Sequence, residues 1–164
     1  MTAGPDRLLY LSQADVVACG VTPARLEEAI RAAFLRRAEG GVWSHAKVTV
    51  GAGGRNIFRG KGAAMAGDPA YGAFKWFGYF PGNAAAGVPD FMPLIVLNEA
   101  ETGRPVAVMD GVWISAIRTA LISLIAARAM ARPDARTIGF VACGSQARSH
   151  LDAFAGALPL TRVI

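Results

Sequence analysis

Cysteine and charged residues are scarce in this sequence. Cys19 and Cys143 are the only two cysteines among 164 residues, which excludes a disulfide-stabilised scaffold. Charged residues make up 18% of the chain, and 17 Lys and Arg against 12 Asp and Glu leave a net charge of +5. No basic run with interleaved aromatics is present, so no nucleic-acid partner is expected. Hydrophobic residues reach 53%, which excludes intrinsic disorder.

Targeting and membrane signals are weak as well. Residues 1–7 contain no basic stretch followed by an apolar core, so no signal peptide is expected and a cytoplasmic location is predicted. Residues 112–131 have the ~20-residue length of a membrane span. Arg118 lies near the middle of this segment, and a mid-span arginine costs at least ~2.5 kcal/mol. We therefore expect a helix inside a soluble protein or at a subunit interface.

Metal and nucleophile motifs are missing too. His45 and His150 have no second His, Cys or carboxylate at ligand spacing, so no metal site is expected. The sequence contains no G-x-S-x-G motif, and its Cys and His residues form no recognisable nucleophile pair.

The predicted elements up to about residue 132 have the order of an α+β domain. Ser12 caps a brief helix through Val17, and Thr22-Pro23 begins a longer helix that stops at Gly40-Gly41. A long helix follows Asp110-Gly111. Apolar or alternating runs predict strands, of which the last two form a hairpin: 8–11, 42–50, 56–59, 73–79, 93–97 and 105–109.

The pattern changes after the short linker 131–136. A strand over 137–141, a turn over 142–147, a helix over 148–158 and a strand from Leu160 form the opening unit of a parallel dinucleotide-binding sheet. We predict an α/β protein with domains at 1–132 and 133–164, the second cut off in its first βαβ unit. The turn reads Ala142-x-Gly144-x-x-Ala147, so the first glycine of G-x-G-x-x-G/A is replaced. Nucleotide binding and an ordinary strand-to-helix turn both remain open from this motif.

Three basic residues are candidates for binding an anion. Lys75 interrupts an apolar strand and shares a face with Phe77, so it either snorkels from an edge strand or binds an anion in a cleft. Arg118 lies in an apolar helix and needs an anionic partner, either Asp110 or a ligand carboxylate. Lys47 is a weaker third candidate, which a solvated strand position would also explain.

Several blocks in fixed order resemble the ornithine cyclodeaminase/mu-crystallin family. The resemblance covers nearly the whole chain from about Leu8 and is most specific from Lys75 to His150. Its blocks are 74–83 (FKWFGYFPGN), 87–89 (GVP), 96–105 (VLNEAETGRP), 109–111 (MDG), 118–120 (RTA), 131–135 (ARPDA) and 144–148 (GSQAR).

This resemblance implies a substrate-binding and dimerisation domain followed by a Rossmann domain that binds NAD, with NADP possible. Lys75 and Arg118 match the family's carboxylate-binding residues, and Lys47 is the counterpart of a third basic residue. The resemblance also implies a homodimer, an amino-acid or imino-acid substrate with a carboxylate, and no membrane partner. The implied cofactor contacts are Gly144, Ser145, Gln146, Arg118 and Asp90.

The implied reaction is the NAD-dependent deaminating cyclisation of L-ornithine to L-proline, a lyase reaction. The Cα hydride passes to the nicotinamide, the side-chain amine attacks the resulting imine, ammonia leaves, and the returning hydride yields proline. A glutamate that precedes the K-W block in cyclodeaminases has no counterpart in 59–65, and Asp90 replaces a small hydroxyl residue. The alternatives are therefore a ketimine reductase or amino-acid dehydrogenase, or an inactive fragment that only dimerises. The family's acid/base residue is expected beyond Ile164.

Overall fold

Two compact units make up the chain, of which the computed structural model describes residues 7–164. The first unit combines the N-terminal residues through Gly20 with Ala33–Trp113, and the second combines Val21–Ala32 with Ile114–Ile164. This division differs from a boundary between residues 132 and 133. The domain assignment of 1–132 and 133–164 stays a prediction.

A seven-stranded sheet organises the first unit. Its order is β1-β7-β6-β5-β4-β2, with β3 also paired to β4. All neighbours are antiparallel except β1, which runs parallel to β7. The strands are β1 Leu9–Leu11, β2 Val42–Ser44, β3 Val48–Gly51, β4 Ile57–Met65, β5 Tyr71–Tyr79, β6 Phe91–Glu99 and β7 Pro105–Asp110.

The helix starts follow the predicted capping signals. Helix α1 (Gln13–Ala18) is preceded by Ser12, which forms a capping box with Asp15. Helix α2 (Pro23–Ala38) begins after Thr22, whose hydroxyl accepts a hydrogen bond from the Arg25 N–H at 3.3 Å. The short 3-10 helix Asn83–Ala86 lies in the breaker-rich loop before β6. Both predicted α-helix starts are confirmed.

Strand β4 is longer than the sequence predicted, and the strand expected over 42–50 is wrong as a single element. Strand β4 continues past Arg59 to Met65 because Gly60 and Gly62 lie beneath aromatic side chains of β5. A Cβ on Gly60 would stand 2.3 Å from Phe74 Cζ, so only glycine fits there. The 42–50 segment divides into β2 and β3 because residues 45–47 stand opposite only residues 61 and 62 of β4.

Helix α3 (Val112–Met130) supplies the buried residues of the second unit, led by Ala120, Leu121 and Leu124. Among residues 7–164 it is also the one helix with the length and composition to cross a membrane. Arg118 in its middle favours its assignment as a core helix.

The second unit ends in a strand–helix–strand motif. Strands β8 (Thr137–Ile138) and β9 (Arg162–Val163) pair in parallel on either side of α4 (Ser145–Ala155). The predicted parallel βαβ unit is therefore confirmed. Its first strand is shorter than 137–141, and its helix begins at 145 rather than 148.

Candidate functional site

One face of the first unit's sheet carries several cations. Lys61 of β4 pairs directly with Lys75 of β5, and Arg59 pairs directly with Phe77, so all four side chains leave the same face of the sheet. We call the surface formed by Arg59, Lys61, Lys75 and Phe77 the cationic face. Strands β2 to β5 contain no Asp or Glu. The face therefore attracts anions.

Lys75 is half-buried and held by two aromatic rings. Its Nζ lies 5.1 Å from the ring centroid of Phe77 and 5.5 Å from that of Phe91. These cation–π contacts fix the ammonium at the β5–β6 side of the cationic face. A lysine that merely snorkelled would extend into solvent, whereas this one keeps its charge over the sheet.

Lys47 lies next to this face but outside a strand. It directly precedes Val48, which pairs with Gly60, and its side chain is exposed. The register therefore brings Lys47 close to Lys61 along β4. Its predicted role in binding a carboxylate stays a prediction.

The opposite face of the sheet is apolar. Phe74, Trp76, Met92 and Leu94 leave this side, and we call the surface that they form the apolar face. Each is at least 37% exposed, and an open groove of about 320 Å³ lies beside Trp76. The groove is lined by aromatic and aliphatic side chains with Asn83 as their polar neighbour, so it offers no charge for a carboxylate.

Asp90 directly precedes β6 in the first unit. Its carbonyl accepts the Phe80 N–H at 2.9 Å, while its carboxylate Oδ1 is buried and has no hydrogen-bond partner among the described residues. An unsatisfied buried carboxylate oxygen is costly, so this atom is suited to accept from a donor on a bound molecule.

Arg118 lies in the middle of α3, in the second unit. Burial lowers the pKa of its guanidinium, although arginine stays charged at neutral pH. Within the second unit, the Arg118 side chain makes no hydrogen bond or ion pair with a described residue. A half-buried guanidinium in this state is suited to bind an anionic ligand. Asp110, the other predicted partner of Arg118, belongs to the first unit. Its Oδ1 accepts a hydrogen bond from the Val112 N–H at 2.8 Å.

The turn before α4 keeps the backbone of a phosphate-binding loop. Ala142 has a φ of 74°, a left-handed conformation, at the position of the missing first glycine. Gly144 is the N-cap without a side-chain hydrogen bond, and the first helical bond runs from the Arg148 N–H to the Gly144 carbonyl at 3.2 Å. The N–H groups of Ser145 and Gln146 thus lack intrahelical acceptors and fit a pyrophosphate.

A side-chain pair fixes α4 against α3. Ser123 Oγ lies 2.9 Å from His150 Nε2, and His150 Nδ1 lies 2.7 Å from the Gln146 carbonyl. A carbonyl accepts only, so Nδ1 carries a proton and donates to it. The pair therefore positions the first turn of α4. No group of three or more His, Cys, Asp or Glu able to hold a metal occurs within residues 7–164.

Sequence reasoning missed Arg59 and Lys61. The predicted strand ended at Arg59 because Gly60 and Gly62 weaken strand propensity. Alternation of Ile57, Arg59 and Lys61 is the signal that could have found them, but their place opposite Lys75 follows from the β4–β5 register.

Comparisons with known proteins identify relatives of similar sequence and fold. Alanine dehydrogenase from Archaeoglobus fulgidus is 42% identical over 83 residues, which cover 51% of this chain and 26% of that protein. The structure of an archaeal alanine dehydrogenase dimer with bound NAD matches with 32% identity and a TM-score of 0.87, covering 95% of this chain and 47% of that chain.

A second solved structure matches with the same TM-score. Thermococcus litoralis Δ1-pyrroline-2-carboxylate reductase, in complex with NADH and L-proline, matches with 26% identity and a TM-score of 0.87. The match covers 94% of this chain and 48% of that one, so the chain spans about half the length of the solved relatives. The family profile of ornithine cyclodeaminase/mu-crystallin matches residues 9–164. The chain belongs to the ornithine cyclodeaminase/mu-crystallin family.

Proposed function

We propose that the protein is an NAD(P)-dependent oxidoreductase that interconverts a 2-amino acid and the corresponding 2-imino acid. The observation that carries this proposal is the half-buried Lys75, whose ammonium lies over two aromatic rings on the sheet face that also presents Arg59 and Lys61. A carboxylate is the group that such a fixed ammonium binds best. Arg118, which has no anionic partner in its own unit, is the second carboxylate-binding residue, and Lys47 is the third.

The first turn of α4 is the proposed site for the cofactor pyrophosphate. The N–H groups of Ser145 and Gln146 offer donors, and Gly144 has open space where a Cβ would stand. The unpartnered Asp90 Oδ1 offers an acceptor for a cofactor hydroxyl. NAD(P), when bound, supplies the two-electron oxidation or reduction of the substrate carbon. Solved relatives with bound NAD or NADH support this assignment, with NAD as the first expectation and NADP as the second.

An assay of the protein expressed from its complete reading frame tests the proposal. Absorbance of the reduced nicotinamide is followed with 2-amino acids and NAD⁺ or NADP⁺, and with 2-oxo acids, ammonium and NADH or NADPH. We expect Lys75→Met to raise KM for the amino acid about thirtyfold or more, because loss of one partner of a charged hydrogen bond costs about 2 kcal/mol or more. The Kd for NADH should stay within about twofold.

Arg55→Met is the matched control. Arg55 is exposed in the turn before β4, so its loss removes a positive charge without touching Lys75. Unchanged kinetics are expected for this variant. Equal effects of the two substitutions on KM, or no nucleotide turnover with any substrate pair, would contradict the proposal.

Cyclodeamination of L-ornithine is the second candidate, favoured by the family match over residues 9–164. It uses the same carboxylate-binding residues, but its product separates it from a dehydrogenase. Ornithine with NAD⁺ would yield proline and ammonia without net NADH, because the cofactor is oxidised and reduced in one cycle. The cations of β4 repel the side-chain ammonium of ornithine. For this reason we propose the reductase or dehydrogenase reaction ahead of cyclodeamination.

A homodimer is part of the same proposal. The apolar face exposes four large hydrophobic side chains side by side, each at least 37% exposed, and a second copy of the chain is its proposed occupant. The dimeric state of a similar alanine dehydrogenase supports this choice. A cytoplasmic location stays a proposal based on the N-terminal sequence.

A further inference from the structure

The cationic face carries more positive charge than one carboxylate requires. Lys75 is the cation assigned to the substrate carboxylate in the first unit, yet Arg59 and Lys61 leave the same face from the adjacent strand. Neither side chain makes a hydrogen bond or an ion pair with another described residue. Their charges are therefore available to a bound molecule.

The register places like charges next to each other on this face. Lys61 and Lys75 are directly opposite each other, which places their Cβ atoms about 5 Å apart, and like charges in this position destabilise a sheet. Arg59 is a diagonal neighbour of Lys75, within about 8 Å. An anion near the β4 side would relieve this repulsion.

Partial burial separates Arg59 from ordinary surface cations. Arg59 is half-buried, although arginine is among the residues most often exposed. Its guanidinium is suited to a carboxylate because two parallel N–H donors match the two oxygens. Lys61 beside it is exposed and adds a second cationic donor.

We propose that the substrate carries a second carboxylate, bound by Arg59 and Lys61, so that the substrate class is the dicarboxylic 2-amino or 2-imino acids. This inference rests on the proposed function, because it assigns Lys75 and Arg118 to the first carboxylate. Arg59 and Lys61 are specificity-determining residues in this assignment, since they contact the part of the substrate that does not react.

The test compares dicarboxylic with monocarboxylic substrates in the protein expressed from its complete reading frame. L-aspartate and L-glutamate are compared with L-alanine, and oxaloacetate and 2-oxoglutarate with pyruvate in the presence of ammonium. We expect kcat/KM for the best dicarboxylic substrate to exceed that for the monocarboxylic one by about tenfold or more, the effect of one further charged hydrogen bond. Equal values would overturn the inference.

Variants assign the effect to the two residues. Arg59→Met and Lys61→Met keep the aliphatic stems, and each should reduce the ratio of kcat/KM for the dicarboxylic substrate to that for pyruvate about tenfold. Arg59→Lys should retain part of the preference for dicarboxylic substrates, and Arg55→Met should retain all of it. Parallel losses for both substrate classes would overturn the assignment.

A binding measurement separates this inference from the proposed function. Succinate and propionate are titrated by calorimetry into the wild-type protein and into Arg59→Met. Tighter binding of succinate that Arg59→Met abolishes supports the second carboxylate site, even if no substrate is turned over and the proposed function fails. Equal binding of the two acids, or a succinate preference that survives Arg59→Met, would overturn the site.

Discussion

Ala142 adopts a backbone conformation that alanine rarely takes. Its φ of 74° makes it the only non-glycine residue with positive φ among those described. A side chain in the left-handed region costs roughly 1–2 kcal/mol, because the Cβ approaches the following carbonyl oxygen. The turn before α4 therefore adopts this conformation without the glycine that favours it. Such strain occurs most often at ligand-binding and active sites.

Ala142→Gly should stabilise the protein by about 0.5–1 kcal/mol. Relief of the left-handed strain exceeds the entropy that an added glycine loses on folding. Urea unfolding, followed by far-UV circular dichroism, measures the shift in midpoint. Ala127→Gly, in the interior of α3, is the control and should destabilise by about 1 kcal/mol. A lower midpoint for Ala142→Gly would show that the turn is not strained.

Single residues differ in how far the sequence reveals their role. Lys75 stands out because a lysine in an apolar strand is unusual, and alternation alone assigns it to the face of Phe77. Arg59 and Lys61 give no such signal, because their importance depends on a partner strand that begins at Tyr71. The left-handed φ of Ala142 also depends on the folded turn. Local patterns were therefore sufficient for the first residue and insufficient for the other three.

At the scale of elements, Glu27 connects α2 to α3 within the second unit. Its carboxylate accepts hydrogen bonds from Arg31 Nε and Nη2 at 3.0 and 2.9 Å and forms an ion pair with Arg128. Burial alone would raise the pKa of Glu27, but the hydrogen bond from Arg31 and the charge and hydrogen bond of Arg128 outweigh it and lower the pKa. The folded state thus favours the ionised carboxylate.

Arg128→Met should cost about 0.5–1 kcal/mol at pH 7 and reduce the acid sensitivity of the second unit. Because the pKa of Glu27 is lower in the folded protein, its contribution is present above pH 4.5, the ordinary carboxyl pKa, and is lost as the pH falls through the folded value. Urea unfolding midpoints recorded from pH 7 to pH 3 measure this loss of stability.

Arg132→Met provides the control for that loss. Arg132 approaches Asp134 at 3.9 Å, with both side chains about four-fifths exposed, so its removal should change the midpoint by less than about 0.3 kcal/mol. If the two variants lose equal stability at pH 7, the ion pair between α2 and α3 stabilises the protein no more than an exposed surface pair does.

Element boundaries depend on contacts that are distant in sequence. The hairpin of β6 and β7 was predictable because both strands are apolar and a Gly-containing turn joins them. The extent of β4 was not, since Gly60 and Gly62 are favourable only under the rings of Phe74 and Trp76. Strand propensity therefore predicts β6 and β7, because their own residues favour a strand. It predicts too short a β4, because the residues that stabilise its second half belong to β5.

At the scale of the whole molecule, the two faces of the sheet have different chemistry. Alternating positions on β4 and β5 give one face Arg59, Lys61 and Lys75 and the other Phe74 and Trp76. In the proposals made above, the first face binds the ligand and the second binds another copy of the chain. The proposed association of the second face would account for part of the high apolar content of the chain, 53%.

Leu94→Glu should convert a dimer into a monomer. Leu94 pairs directly with Trp76 at the centre of the apolar face and is 44% exposed, so a carboxylate there would be desolvated in the interface without a partner. We expect the dimer dissociation constant to rise about 30-fold or more, measured by size-exclusion chromatography with light scattering over a dilution series. Leu35→Glu, on α2 and 67% exposed, adds the same charge outside this face and should leave the dimer intact. A monomeric wild-type protein, or a Leu94→Glu variant that dimerises as tightly as Leu35→Glu, would exclude the apolar face as the interface, because a buried unpaired carboxylate cannot be neutral in energy there.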